Sequence, residues 1–156
     1  MAKASPEGFT PLRDRIMELY DAIHPMTIIL KNAGQNVVIV IATDGKPTDE
    51  SGYSKDFVTD VFVRALRQLL ELPVWVVVRL CTDEEDVVDF YNSLDDDLEL
   101  SIEVLDDFVG EAAEVHAVNP WLNYGLPLHR MRESGFNERA FDFIDQRALT
   151  RVSLSL

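Results

Sequence analysis

Val37-Val38-Ile39-Val40-Ile41-Ala42, followed at once by Thr43-Asp44-Gly45-Lys46-Pro47-Thr48-Asp49, decides how this chain is read. A run of consecutive β-branched residues suits a strand covered by helices on both faces, because such a strand lacks the polar alternation of a half-exposed one. The run therefore predicts a central parallel strand. From Thr43 to Tyr53 the composition turns to Gly, Pro, Asp and Thr, which marks a loop. Asp44 thus stands just past the carboxyl end of a strand, where ligand sites of open α/β sheets gather.

Working outward, Ser54 caps a predicted helix whose inner side carries Phe57, Val58, Val61, Phe62, Ala65, Leu66 and Leu69. Val74 to Leu80 is a second apolar run. Thr82 with Glu85 three residues on forms a capping box that opens a helix through about Leu94. Leu98 to Leu105 alternates apolar with acidic residues, the period of a strand at the sheet edge. A short helix from about Asp107 to Val115, an irregular stretch from Asn119 to Leu128 and a helix around Glu138 to Leu149 complete that side.

Upstream, Leu12, Ile16, Leu19, Tyr20 and Ile23 follow helical spacing, with Thr10 as N-cap and Pro11 in the first turn. Pro25 breaks or kinks that helix, and the stretch from Met26 to Leu30 continues to a stop at Gly34. Alternating strands and helices imply right-handed crossovers and an α/β fold, a doubly wound, Rossmann-like, mostly parallel sheet flanked by helices.

Composition narrows the function. The chain has 156 residues, 47% of them hydrophobic, enough for one compact domain over 1–156. Its formal net charge of −14 argues against a nucleic-acid partner, since phosphate binding depends on Lys and Arg contacts. No apolar run is long enough to cross a membrane and the first residues do not read as a signal peptide, so a cytoplasmic location is expected. A single cysteine, Cys81, rules out an internal disulfide framework and reads as a small buried apolar residue. His24, His116 and His129 lack zinc-ligand spacing.

No Lys or Arg occurs between Arg79 and Arg130, while acidic residues crowd the stretch from Asp83 to Glu114. That stretch is a solvated acidic face, a docking surface for a basic partner, or a weak calcium-binding face around Asp95-Asp96-Asp97. The segment from Asn119 to Arg130 carries Trp121 and Tyr124, as interface hot spots do, though such a segment also packs over a core.

Val37 to Asp49 resembles the von Willebrand factor type A family, whose fourth strand ends in an apolar run followed by Thr-Asp-Gly-x-Pro-Thr-Asp or close variants. Gly8-Phe9-Thr10-Pro11-Leu12 is similar to that family's Gly-x-Thr-Pro-Leu segment. The resemblance covers residues 8–115, leaving 116–156 as a C-terminal extension. It implies a metal-ion-dependent adhesion site in which Thr10 supplies a hydroxyl and Asp44 a carboxylate to Mg, Mn or Ca. The family's first metal element, Asp-x-Ser-x-Ser, has no counterpart in the nine residues ahead of Thr10, so the fold is incomplete on its N-terminal side and the metal site weak or partial.

The implied function is a non-catalytic protein-interaction module that meets its protein partner through Gly45, Pro47, Thr48 and Asp49. One alternative is a metal-dependent hydrolase or phosphotransfer enzyme using Asp44 and Asp49. Another is a structural subunit or fragment of a larger assembly. An uncovered edge on the Val37 strand would favour homo-oligomers.

Overall fold

The computed structural model describes residues 11–49, 51–98, 102–136, 141 and 143–150. It is mixed α/β, with a three-stranded parallel sheet and flanking helices. The chain divides into two compact units, one made of residues up to Asn36 and from Gly45 to Val74, the other of Val37 to Asp44 and everything from Trp75 on.

In the first unit, α1 spans Leu12–Ile23 behind Pro11, and Thr10, its expected cap, lies outside the described residues. Pro25 ends α1 as the sequence indicates, within a 3-10 turn at His24–Met26. α2, Thr27–Ala33, stops at Gly34, whose φ of 62° is the left-handed conformation that glycine adopts without a Cβ clash. α3, Asp56–Leu70, packs against α1 and buries Phe62, Ala65, Leu66 and Leu69. Its N-cap is Lys55 rather than Ser54. Phe57, expected on the inner side, is exposed: it stands five positions before Phe62, off the i, i+3, i+4, i+7 stripe that the buried residues trace.

The sheet runs β1 (Val37–Thr43), β2 (Val74–Leu80), β3 (Ile102–Leu105) in that spatial order. β2 and β3 are parallel, with Val76 opposite Ile102 and Arg79 opposite Leu105. The order corrects the reading of Val37 to Ala42 as a central strand. Among the described strands β1 is at an edge, and it buries Ile39, Ile41 and Thr43 while Val38, Val40 and Ala42 are exposed. β-branching favours a strand on either kind of surface, so it cannot tell one covered face from two. β2 is the strand covered on both faces, with Val76, Val77 and Val78 buried in succession. β3 is an edge as expected but begins at Ile102, since Leu98 still ends α4 (Glu85–Leu98); 99–101 lie outside the described residues. Ahead of α4, Thr82 Oγ1 accepts the Glu84 N–H at 3.2 Å, one residue earlier than the expected capping box.

α5 runs Phe108–Val118 behind an aspartate cap: Asp107 Oδ1 accepts the N–H groups of Val109 (2.6 Å) and Gly110 (2.9 Å). Within the last three residues of the stretch read as irregular, Asn119 to Leu128, a further helix begins, α6, Leu126–Glu133, opened by Pro127 in its first turn. Conversely, the helix expected over 138–149 is absent among the described residues, where 141 and 143–146 form turns. The fully buried Asn119 accounts for this. Its amide donates to the carbonyls of Ile144 (2.7 Å) and Arg147 (2.9 Å), and its oxygen accepts the Leu149 N–H (2.7 Å), groups an α-helix would have used for itself. Ile144 and Leu149 join Val115 and Tyr124 in one apolar cluster, so residues after 116 contribute to the core of this unit.

Gly135 closes α6 at φ 79°, and a Cβ there would collide with the Val38 side chain of β1. Gly135→Ala should therefore lower stability by roughly 2 kcal/mol or more, combining backbone strain with overpacking. Urea melts of a double-mutant cycle with Val38→Ala check this, because trimming Val38 should recover the steric part alone.

Candidate functional site

β2 and β3 point their carboxyl ends the same way, and the segments leaving them diverge into α4 and α5. The open cleft between them, lined also by α6, has a volume of about 370 Å³, within the range of small-ligand sites. After β2 come Cys81, Thr82 and Asp83, and after β3 come Asp106, Asp107 and Phe108; α6 adds Leu126, His129, Arg130 and Glu133. The Cys81 N–H donates to the Thr43 carbonyl (2.8 Å), which ties the ends of β1 and β2 together. Behind that tie the buried Tyr91 of α4 hydrogen-bonds Thr43, and burial pushes its phenol up to about 12. Cys81 is exposed, contrary to its reading as a buried apolar residue, because it has already left the strand.

The charged wall of the cleft centres on Glu133. Its carboxylate is nearly buried and bridges two guanidiniums, Arg79 Nε at 3.0 Å from Oε1 and Arg130 Nη1 donating to Oε2 at 2.6 Å. His129 Nε2 lies 3.5 Å from Oε1. No well-aimed hydrogen bond reaches that oxygen, so its partners act chiefly through charge.

Behind Glu133, Arg132 is buried to 4% side-chain exposure. Its Nε donates to Glu103 (2.5 Å), Nη1 to Glu111 (2.7 Å) and Tyr124 Oη (3.3 Å), and Nη2 to Asp145 (2.8 Å). Burial works against the charge, but Glu103, Glu111 and Asp145 together raise the guanidinium above its ordinary pKa.

Tyr124 Oη links the two networks: it accepts from Arg132 Nη1 and is hydrogen-bonded to His129 Nδ1, 3.1 Å away. Burial lowers the His129 pKa, with Glu133 opposing and the neighbouring arginines reinforcing, which favours the neutral ring. The phenol of Tyr124 is pushed up to about 12, mainly by burial, which keeps it a donor.

The residues singled out from the sequence lie elsewhere. Asp44 is exposed just past β1. Gly45, Thr48 and Asp49 are half-buried and belong to the other unit, and Pro47 is buried rather than presented to a partner. Asp49 builds its own turn: Oδ1 accepts the N–H groups of Ser51 (2.8 Å) and Tyr53 (2.9 Å). Thr10 lies outside the described residues. Among the described residues no group of three His, Cys, Asp or Glu side chains converges on Asp44.

Glu111, Glu114 and Asp145 do bring carboxylate oxygens within 4.8 Å of one another, but Arg132 already donates to two of the three. The sequence carried a faint signal for the cleft wall: His129, Arg130 and Glu133 sit at i, i+3 and i+4 spacings that a helix aligns. Arg79 and Arg132 had no such signal, because their partners are 54 and at least 8 positions away respectively.

Comparison with known proteins finds no matching family model, no matching curated protein and no matching solved structure.

The Arg132 network has a pH signature. Burial pushes Glu111 from 4.5 up to about 7, with Arg132 opposing. A carboxyl whose folded pKa exceeds its unfolded one favours folding while protonated, so this contribution is full below pH 4.5 and is lost as pH rises through about 7. Glu111→Gln keeps the acceptor but removes the titration. Chemical denaturation across that window should show wild-type stability falling relative to the Gln variant; parallel curves would contradict the assignment.

Proposed function

We propose that this chain is a protein-interaction module of von Willebrand factor type A character, which engages its partner at the carboxyl-end face of the parallel sheet. The observation that carries the reading is the open cleft between the ends of β2 and β3, with its charged wall held in fixed pairs. Recognition needs side chains whose geometry is set before the partner arrives. Glu133 accepts a hydrogen bond from Arg130 and pairs by charge with Arg79, while Tyr124 holds the His129 ring through Nδ1.

The catalytic alternative draws less support. Both ring nitrogens of His129 face protein groups, Nδ1 hydrogen-bonded to Tyr124 Oη and Nε2 3.5 Å from the Glu133 carboxylate, so neither is presented openly to a substrate. Asp49, the second carboxylate of the hydrolase reading, is held in its turn by two N–H groups. An overall charge of −14 also disfavours phosphate esters as substrates.

Immobilised wild-type protein and an Arg79→Gln/Arg130→Gln variant, matched for thermal stability, test the reading in crosslinking capture from native extract followed by reconstitution with the purified partner. The expected result is a saturable complex with wild type and no turnover of added phosphate or acyl esters. Ester turnover that disappears in Asp44→Ala would replace the module with the enzyme.

A further inference from the structure

We propose that the cleft takes a cationic side chain, lysine or arginine, borne by a basic peptide segment of the partner; this rests on the interaction-module reading. Four carboxylates line the cleft, those of Asp83, Asp106, Asp107 and Glu133, against the two guanidiniums of Arg79 and Arg130, which Glu133 already pairs. The lining therefore carries surplus negative charge, and a cation is the occupant that balances it. Between Arg79 and Arg130 the chain has no Lys or Arg of its own to compete for that place, and a net charge of −14 draws a basic partner toward the protein.

The acceptors sit where β2 and β3 end. Asp83 is exposed just past β2. Past β3, Asp106 Oδ1 accepts the Asp107 N–H at 2.7 Å and Asp107 Oδ1 accepts those of Val109 and Gly110, so the second oxygen of each carboxylate has no donor among the described residues. The same N–H groups, Gly110 first, lower the Asp107 pKa and keep it ionised. Glu133 is the buried member of the set, at 9% side-chain exposure, and its Oε1 has charged neighbours but no hydrogen-bond donor. An ammonium or guanidinium supplies charge-assisted donors to such oxygens. Phe108 and the half-exposed Leu126 line the same space. Apolar surface beside carboxylates suits the methylene stem of lysine or arginine better than a bare ion. The volume agrees, at about 370 Å³ against roughly 30 Å³ for one water molecule.

Backbone amide shifts of the full chain are followed by NMR at physiological salt with two blocked hexapeptides, one bearing lysines and one bearing glutamates in the same places. The lysine peptide should shift Thr82, Asp83, Asp106 and Asp107 saturably, and the glutamate peptide should not. Asp83→Asn/Asp106→Asn, in which asparagine keeps the Oδ1 acceptor and loses the charge, should weaken lysine-peptide binding severalfold. Asp60→Asn/Asp89→Asn, which removes the same charge from exposed positions on α3 and α4, should leave it unchanged.

Equal weakening by the two double variants would reduce the effect to long-range attraction and overturn the proposal. So would these shifts appearing with the glutamate peptide, or with calcium chloride alone at concentrations far below those the lysine peptide needs, which would make the cleft an ion site. The single variant Asp83→Asn, at an exposed position, guards against misfolding of the double variant and should weaken binding partially. Partner capture separates the two levels. A purified partner that binds wild type and Asp83→Asn/Asp106→Asn equally would overturn the cation site and leave the module standing, whereas failure of wild type to bind any partner would remove the module itself.

Discussion

A single buried guanidinium organises the second unit. Arg132 reaches Glu103 on β3, Glu111 on α5, Asp145 in the turns that follow α6, and Tyr124 in the loop before it. Each partner comes from a different part of the chain, so the contact fixes α6 over the sheet in a way that apolar packing, which is non-directional, does not. Ion pairs of this kind are costly to dehydrate, and removing one partner strands the others; replacing Arg132 with an apolar residue would leave the buried Glu111 and the half-buried Glu103 and Asp145 without their cation, at a cost on the order of 3–5 kcal/mol. The same placement of α6 delivers His129, Arg130 and Glu133 to the cleft.

The two networks share Tyr124 and His129. Arg132 donates to Tyr124 Oη, and the same oxygen is hydrogen-bonded to His129 Nδ1, whose ring faces Glu133. The orientation of the cleft wall is therefore inherited from the buried core. This couples recognition at the surface to the integrity of 119–150, residues that the family resemblance left out as an extension.

What was legible in the sequence follows from how far each signal reaches. Local patterns worked: Pro25 and Gly34 mark the breaks they were expected to mark, and α3 and β2 fall where the apolar runs lie. Asp107 was placed at the start of a helix and caps α5. Long-range facts did not show. Val37 to Ala42 has the composition of a doubly covered strand, yet its position at an edge is decided by neighbours far along the chain. Asn119 diverts 143–149 from the expected helix through contacts 25 to 30 positions away. For the site, the sequence drew attention to Asp44 and Asp49 through a motif resemblance. The cleft residues are spread from Arg79 to Glu133, and only the fold brings them together.

The central claim is that Arg132 is a buried, carboxylate-bound guanidinium on which the arrangement of α6 depends. Arginine side-chain Nε–H resonances measured by NMR at neutral pH test it most directly. The account predicts one Nε–H with strongly slowed solvent exchange, lost in Arg132→Lys and accompanied there by faster amide exchange through α6. Arginine Nε–H groups that all exchange as free side chains do, with α6 amides unchanged in Arg132→Lys, would contradict it.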